Sequence, residues 1–443
     1  MATEEYLLCL PSAVLRVLTT LERAGYPAYI VGGCLRDALR GKAPHDWDVT
    51  TPATPEQMLA VFGAAGVRTI ETGLKHGTVT AIVDHEPVEC TTYRLDGTYT
   101  DGRHPDTVSF TDRIADDLCR RDFTVNAMAC RLPGVAAMTE EQICGGLRVR
   151  ESELEPVDLF GGREDLGRGV LRCVGESTRR FTEDALRILR CVRFCAQLDF
   201  AVEEQTARAL AECREGLRCV SVERRAVELL RMLSCENSPL RAMQLMSEAG
   251  LWEYVLPSCC PREDLLCKVS VLPPDAAMRV AQLYYNNDTF EAAQRAAGAD
   301  CALLRLSREL TEDITTLVRG MYEPCPESRA AVRRLMARYG ARTERVLLLR
   351  AMQDVDAEQD ARMPERWARV LAEVAGVRAR GECLSIASLA VNGADLAARG
   401  IRGARIGQTL RELLERVLDD PSLNQKEQLL AMLPSPDATE GRV

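Results

Sequence analysis

The spacing of apolar residues changes near residue 165, and the change divides the chain into two kinds of structure. Before that point, short runs rich in β-branched residues stand between turn signals. Residues 28–33 (AYIVGG), 76–84 (HGTVTAIVD) and 86–95 (EPVECTTYRL) read as strands. Among them, residues 54–62 (TPEQMLAVF) read as a helix. Thr54 is its N-cap, Pro55 takes the first helical position and Gln57 completes a capping box. Beyond residue 165, Leu, Ala, Arg and Glu dominate and apolar positions recur at helical spacing, predicting helices over 181–198, 203–217 and 222–234. Proline and glycine breaks follow near 256–262, 272–274 and 323–326, and helical spacing then returns. The polar ending PSPDATEGRV (434–443) is expected to be disordered. No repeat of fixed period appears. The pattern predicts an α+β fold class: an α+β head followed by an all-α remainder.

Composition adds mainly exclusions. A chain of 443 residues allows two to four domains at about 100–200 residues each. No stretch approaches the roughly 18 consecutive apolar residues that a membrane-spanning helix needs. Glu4 and Glu5 stand where a secretory signal would carry basic residues, so a cytoplasmic location is expected. The 18 cysteines are scattered without a CxxC pair, which reads as free thiols in a reducing compartment. All four histidines (His45, His76, His85, His104) lie in the first quarter. Chemistry beyond residue 104 must therefore rest on carboxylates, arginines or thiols. Net charge is −10, yet the basic residues, all but four of them arginine, cluster at 163–193 and 399–416. Such islands are either solvated surface or an anion-binding track.

The densest candidate chemistry is VGGCLRDALRGKAPHDWDVTT, residues 31–51. A strand running into Gly32-Gly33 and then a helix lets backbone approach an anion, and Arg36 lies one turn into that helix. Asp46 and Asp48 are two apart on a predicted strand, so both carboxylates point to one face. Crowded carboxylates repel unless a cation relieves them, and Mg²⁺ commonly takes one or two carboxylates together with substrate phosphates. Glu89 lies on another predicted strand that could pair beside the first, making a third acid. A lone Gly-Gly turn or a lone Asp-x-Asp is usually only a turn or a strand edge. Close together in one stretch, they suit metal-assisted phosphoryl or nucleotidyl transfer.

Two further clusters follow. In DDLCRRDFTVNAMA (116–129), Arg120 and Arg121 suit phosphate, and Asp122 and Asn126 suit a ribose. In FTEDALRILRCVRF (181–194), Thr182 reads as N-cap and Glu183 and Asp184 complement the helix dipole. Asp184, Arg187, Arg190 and Arg193 recur every three residues, and Glu183 can pin Arg187. Either this is an ordinary ion-paired helix, or its acceptor and donor side by side form an edge that reads a nucleobase.

The ordered set Gly-Gly-x-x-Arg-Asp, Asp-x-Asp, Arg-Arg-Asp-Phe-Thr-x-Asn-Ala, Gly-Gly-x-x-Asp-Leu (161–166) and Glu-Asp-x-x-Arg-x-x-Arg resembles the class II tRNA nucleotidyltransferases. That group contains the bacterial CCA-adding enzymes and the related poly(A) polymerases. The likeness covers about 28–200 and resumes at 391–430. It implies a head like that of DNA polymerase beta over 1–150, a neck with a nucleotide-reading helix over 151–215, a helical body over 216–330 and a tRNA-binding tail over 331–443. It also implies Mg²⁺ on Asp46 and Asp48, with Glu89 as a third catalytic carboxylate. Gly32, Gly33, Arg36, Arg121, Asp122 and Asn126 would contact the nucleotide. Asp184 and Arg187 would read the base, braced by Glu183, with Arg190 and Arg193 nearby. The segment 96–111 would be a loop that helps the site switch from C to A, and Gly161-Gly162 a hinge. The implied reaction adds C, C and A from CTP and ATP to the 3′ end of tRNA without a nucleic-acid template, with the tRNA following both arginine islands. A poly(A) polymerase, or an enzyme adding only CC or only A, is the alternative. Non-catalytic RNA binding and transfer to a small molecule are more distant ones. An HD phosphohydrolase domain is not expected, because no histidine follows His104.

Overall fold

The computed structural model describes residues 7–44, 46–97, 108–259, 261–285, 289–355 and 363–433. Residues 98–107, most of the expected switching loop, and the polar ending 434–443 lie outside the described residues. The chain forms two compact units, Met1–Pro257 and Ser258–Val443.

In the first unit, β1 (Leu7–Leu10), α1 (Ser12–Arg23), β2 (Tyr29–Val31), α2 (Gly33–Leu39), β3 (Trp47–Thr51) and α3 (Pro55–Ala64) come first. Then follow β4 (Arg68–Gly73), β5 (Thr78–Val83), β6 (Glu86–Thr92), β7 (Arg94–Asp96), β8 (Val108–Phe110) and α4 (Ile114–Cys119). The head closes with β9 (Met128–Arg131), α5 (Glu140–Cys144), β10 (Leu147–Arg150) and β11 (Glu155–Asp158). Seven strands form one sheet in the order β11-β9-β2-β3-β6-β5-β4. Only β3 and β6 run parallel within it; β5 and β6 join through a two-residue turn, Asp84-His85, with both residues at positive φ. The predicted capping box is present: the Gln57 amide donates to Thr54 Oγ1 and the Thr54 amide to Gln57 Oε1.

Strand alternation decides which face carries chemistry. Val49, Val79, Ala81, Val88 and Cys90 are buried in a core they share with α1 and with Met58 and Phe62 of α3. Fully burying a side chain such as Phe62 contributes roughly 1.5–3 kcal/mol. Asp48 and Glu89, the intervening residues, point to the other face of the sheet.

The expected head boundary at 150 falls short, because β11 pairs with β9 inside the main sheet. Beyond it come α6 (Gly162–Arg168), β12 (Val170–Leu171), α7 (Ser177–Glu183), α8 (Leu186–Leu198), β13 (Ala201–Val202), α9 (Glu204–Cys213) and α10 (Val222–Leu233). All of these cluster with the head, as does the chain up to Pro257, so the compact units do not follow the expected division at 215 and 330. Gly161-Gly162 forms a close contact where a hinge was expected. A Cβ on Gly162 would lie 2.2 Å from the Thr124 carbonyl oxygen, and Thr124 Oγ1 donates to Asp165 at 2.6 Å.

The reading helix also differs from expectation. Thr182 lies inside α7, and its hydroxyl donates to the Thr178 carbonyl at 2.8 Å. Asp184 is extended (φ −141°, ψ 102°) and ends α7, and its Oδ1 accepts the Leu186 amide at 3.0 Å, so it caps α8. Buried Phe181 anchors residues 177–183 as a separate short helix. Asp184 therefore precedes the arginine stripe of α8 instead of beginning it.

The second unit is helical among its described residues. Near its end, Leu396, Leu410, Leu413 and Val417 share a small core. Buried Arg333 ties this region together, donating to Glu382 at 2.7 Å and to the Leu418 carbonyl at 2.9 Å.

Candidate active site

One cavity of about 630 Å³ gathers most of the residues singled out from the sequence. Gly32, Gly33, Arg36, Asp46, Asp48, Glu89, Arg121, Asp122, Asn126, Arg190 and Arg193 all line it. Glu183, Asp184 and Arg187 are not among its lining residues.

The acids come from neighbouring strands. Asp48 on β3 and Glu89 on β6 are direct register partners. Asp46 stands just before β3 and is exposed, so the two-apart spacing begins one residue outside the strand. Burial pushes the Asp48 carboxyl up to about 6; Arg121 opposes the rise, and Glu89 and Asp46 add to it. This is the repulsive arrangement that a divalent cation relieves. Among the described residues, no three His, Cys, Asp or Glu side chains converge closely enough to enclose a metal on their own. Asp46, Asp48 and Glu89 supply only oxygen donors, which fit a hard divalent cation.

Beside the acids lies the glycine turn. Gly32 has φ 83°, and a Cβ there would sit 3.0 Å from Arg121 Nη1 and 3.6 Å from Asp48 Oδ2. No larger residue brings backbone, guanidinium and carboxylate this close together. Helix α2 has only seven residues, and the cations beside its turn are Arg36 and Arg121. Arg36 is held flat by Asp37, with two bonds of 2.8 Å, and donates to Asn126 Oδ1 at 2.6 Å. Arg121 donates to Asp117 at 3.2 Å, and its Nε has no protein partner. Asp117 is fully buried and also takes Arg120 at 2.6 Å.

Asp122 proves to be a brace. Its carboxylate accepts its neighbour Phe123's amide, Asn126 Nδ2 at 3.1 Å, and Arg190 twice, at 2.9 and 2.6 Å. Burial alone would raise its pKa, but the Arg190 charge and these bonds hold it far below the usual carboxylate range. A carboxylate has about four acceptor sites, so Asp122 has little capacity left for a ribose. Asn126, bonded once through each side-chain atom, keeps an N–H and a lone pair. Arg36, Arg190 and Arg193 all lie over the Phe194 ring, Arg193 at 4.0 Å.

Behind the cavity, Arg187 donates to Glu183 at 3.1 Å, to the Arg180 carbonyl at 3.2 Å and to the Arg120 carbonyl at 3.0 Å. Arg180 donates to the Cys119 carbonyl at 3.1 Å. This bolts α7 and α8 to the 119–122 turn of the head. Arg180, Arg187 and Arg193 are buried in such pairs, so the island at 163–193 is not a continuous surface track. Cys34, which lines the cavity, is buried, and burial pushes its thiol up to about 12.

Asp37, Asp117, Phe194 and Arg231 were not given roles from the sequence. Asp37 and Asp117 sit inside the motifs at 31–51 and 116–129 and hold arginines, and Asp37 also lines the cavity. Phe194 ends the third motif and reads as core. Arg231, exposed at the cavity, lies in an ordinary amphipathic run.

Comparison with known proteins bears on this site. Residues 28–172 match the family described as Poly A polymerase head domain. Residues 199–261 match that described as Probable RNA and SrmB- binding site of polymerase A. A CCA-adding enzyme of Levilactobacillus brevis is 42% identical over 239 residues, 54% of each chain. The chain thus spans about half the length of that relative. The CCA-adding enzyme of Enterococcus faecalis is 31% identical over 441 residues, 94% of this chain and 93% of that protein. The crystal structure of the Bacillus stearothermophilus CCA-adding enzyme in complex with CTP superposes with TM-score 0.70 at 28% identity, covering 95% of both chains.

Proposed function

The chain belongs to the CCA-adding enzyme family, and from that premise we propose that it adds C, C and A, from CTP and ATP, to the 3′ end of tRNA. The 3′ hydroxyl attacks the α-phosphate, the bond to the β-phosphate oxygen breaks, and pyrophosphate leaves. The observation that supports this best is a single cavity in which Asp46, Asp48 and Glu89 adjoin the Gly32-Gly33 turn, Arg36 and Arg121.

In this reading Asp46 and Asp48 would hold Mg²⁺, which would supply a lowered pKa for the attacking hydroxyl and relief of charge on the phosphates. Arg36, pre-set by Asp37 and Asn126, takes phosphate oxygens without reorganising. Arg121 faces the nucleotide from beside Asp48. Asn126 reaches the ribose, while Asp122 and Arg190 keep head and α8 in register. Glu183, Asp184 and Arg187 shape the base-reading edge from behind the cavity. The second unit supplies tRNA contacts through Arg399, Arg402, Arg405, Arg411 and Arg416, all exposed. The setting is the cytoplasm, where tRNA is matured.

The test is incubation of the full chain with tRNA lacking its terminal CCA, CTP, ATP and Mg²⁺. Extension of the 3′ end supports the proposal. Absence of extension, with or without metal, overturns it.

A further inference from the structure

Arg121 stands among acids, yet it pairs with one outside the cavity. Its Nη1 lies 3.0 Å, and Asp48 Oδ2 3.6 Å, from the same point, the position a Cβ on Gly32 would take. Asp46 and Glu89 line the same cavity. Among the described residues, Arg121 makes no ion pair with any of these three. Its ion pair is with Asp117, Nη2 to Oδ2 at 3.2 Å. A guanidinium this close to crowded carboxylates gains Coulomb energy by moving onto them. It would then stand where a metal cation is needed.

Asp117 is placed to oppose that movement. It lies on α4 with no exposed side-chain surface. Its Oδ1 accepts Arg120 twice, at 3.0 and 2.6 Å, which fixes the carboxylate. Its Oδ2 accepts Arg121 and lies 3.4 Å from the hydroxyl of Thr50, two residues after Asp48 on β3. Burial raises the Asp117 carboxyl, but Arg120 and Arg121 outweigh burial and hold it below the usual carboxylate range, so the anion persists.

We infer that Asp117 is a positioning residue that withholds Arg121 from Asp46, Asp48 and Glu89, leaving the acids open to a divalent cation and the guanidinium open to the nucleotide's phosphates. The phosphate role rests on the proposed transfer reaction. A carboxylate that only braced α4 would be complete with Arg120, whose two bonds both fall on Oδ1. The second oxygen is spent on a residue whose Nη1 faces the Gly32 turn and whose buried Nε has no protein partner. Asp117 itself is not among the residues that line the cavity, so it acts on substrates only through Arg121.

The experiment has two readouts on the full chain, for wild type, Asp117→Asn, Arg121→Gln and the double variant. One is Mn²⁺ binding without substrates, followed by the electron paramagnetic resonance of the free ion. The other is steady-state CMP addition to tRNA lacking CCA. Asp117→Asn should weaken Mn²⁺ binding about tenfold, as Arg121 closes on the acids, and raise KM for CTP by a similar factor. KM for tRNA should stay within about twofold, because no group that Asp117 holds is assigned to tRNA. In the Arg121→Gln background the same substitution should change Mn²⁺ binding by no more than about twofold, since no guanidinium is left to move. Should Asp117→Asn fail to fold, Asp117→Asn with Arg120→Gln, which removes the charge left unpaired, is read in its place. Unchanged Mn²⁺ affinity in Asp117→Asn overturns the inference. So does an equal loss with Arg121→Gln present, because Asp117 would then act through the fold alone. No Mn²⁺ binding by wild type overturns it together with the metal assignment. Wild type that binds Mn²⁺ but adds no CMP overturns the proposed function instead, and the Mn²⁺ isotherms still decide whether Asp117 restrains Arg121.

Discussion

Asp48 and Glu89 are register partners across the only parallel pairing of the main sheet, and both carboxylates rise from the face opposite its core. Asp46 joins them from the residue before β3, and the Gly32 turn brings Arg121 to the same spot. A sheet that places three acids against one guanidinium holds a charge imbalance that a metal and a phosphate chain would complete.

Asp48→Asn should remove most of the catalytic rate. Losing a metal carboxylate forfeits several kcal/mol of transition-state stabilisation, a fall in kcat on the order of a thousandfold. Affinity for tRNA should stay within a few-fold, because the acids do not attract phosphate. Single-turnover addition of C and of A, with a binding isotherm, measures both. Asp46→Asn should behave alike and Glu89→Gln should lose less. Near-normal turnover in both aspartate variants would remove the metal assignment.

The same substitution should stabilise the metal-free protein. The Asp48 carboxyl is raised to about 6 in the folded chain, so folding binds its proton more tightly. Above about pH 6 its ionised form costs stability, and that cost fades as pH falls towards about 4. In EDTA at pH 7.5, Asp48→Asn should unfold roughly 1–3 kcal/mol later in urea, with little gain at pH 4.5. A destabilised variant at pH 7.5 would contradict the burial-driven rise of the Asp48 carboxyl.

The Asp122–Arg190 pair works in the opposite sense. Asp122 is depressed, so its contribution is fully present above about pH 4 and is lost as pH falls through its lowered value. Asp122→Asn should cost roughly 2–3 kcal/mol at neutral pH, since Arg190 loses its buried partner. The gap to wild type should narrow as the medium becomes strongly acidic. Urea titrations across pH decide this, and a constant gap would mean that shape, not charge, sets the cost.

At the base-reading segment, Asp184→Asn is a cleaner probe than Asp184→Ala. Asn keeps an oxygen to cap α8, a contact whose loss costs about 1 kcal/mol. In the proposed reading it alters the support behind the base-reading edge, so GTP and UTP should be misincorporated more often relative to CTP and ATP. Arg187→Ala should lower addition of both C and A, because it loses one bond to the 119–122 turn and two to α7. Unchanged base selectivity in Asp184→Asn would leave the residue a helix cap.

Local patterns carried much of this organisation. The capping box at Thr54 and the alternation along β5 and β6 depend on residues close in sequence, and both read directly. The Asp48–Glu89 pairing was anticipated as an adjacency of strands, although its parallel sense and register come from tertiary packing. What escaped depends on distant partners. Thr182 has the residue type of an N-cap, but Phe181 is drawn into the core and moves the cap to Asp184. Asp122 has the residue type of a ribose acceptor, but Arg190, 68 positions away, fills it. Arg231 has no local mark because only the fold brings it beside Asp46.

The most direct measurement is the length and sequence of the product end when tRNA lacking CCA is given CTP alone, ATP alone or both. The account predicts two cytidines with CTP alone, and C-C-A followed by arrest with both. With ATP alone it predicts no extension of this tRNA, but one adenosine on tRNA already ending in CC. A long adenosine tail, or arrest at CC when both nucleotides are present, would contradict it.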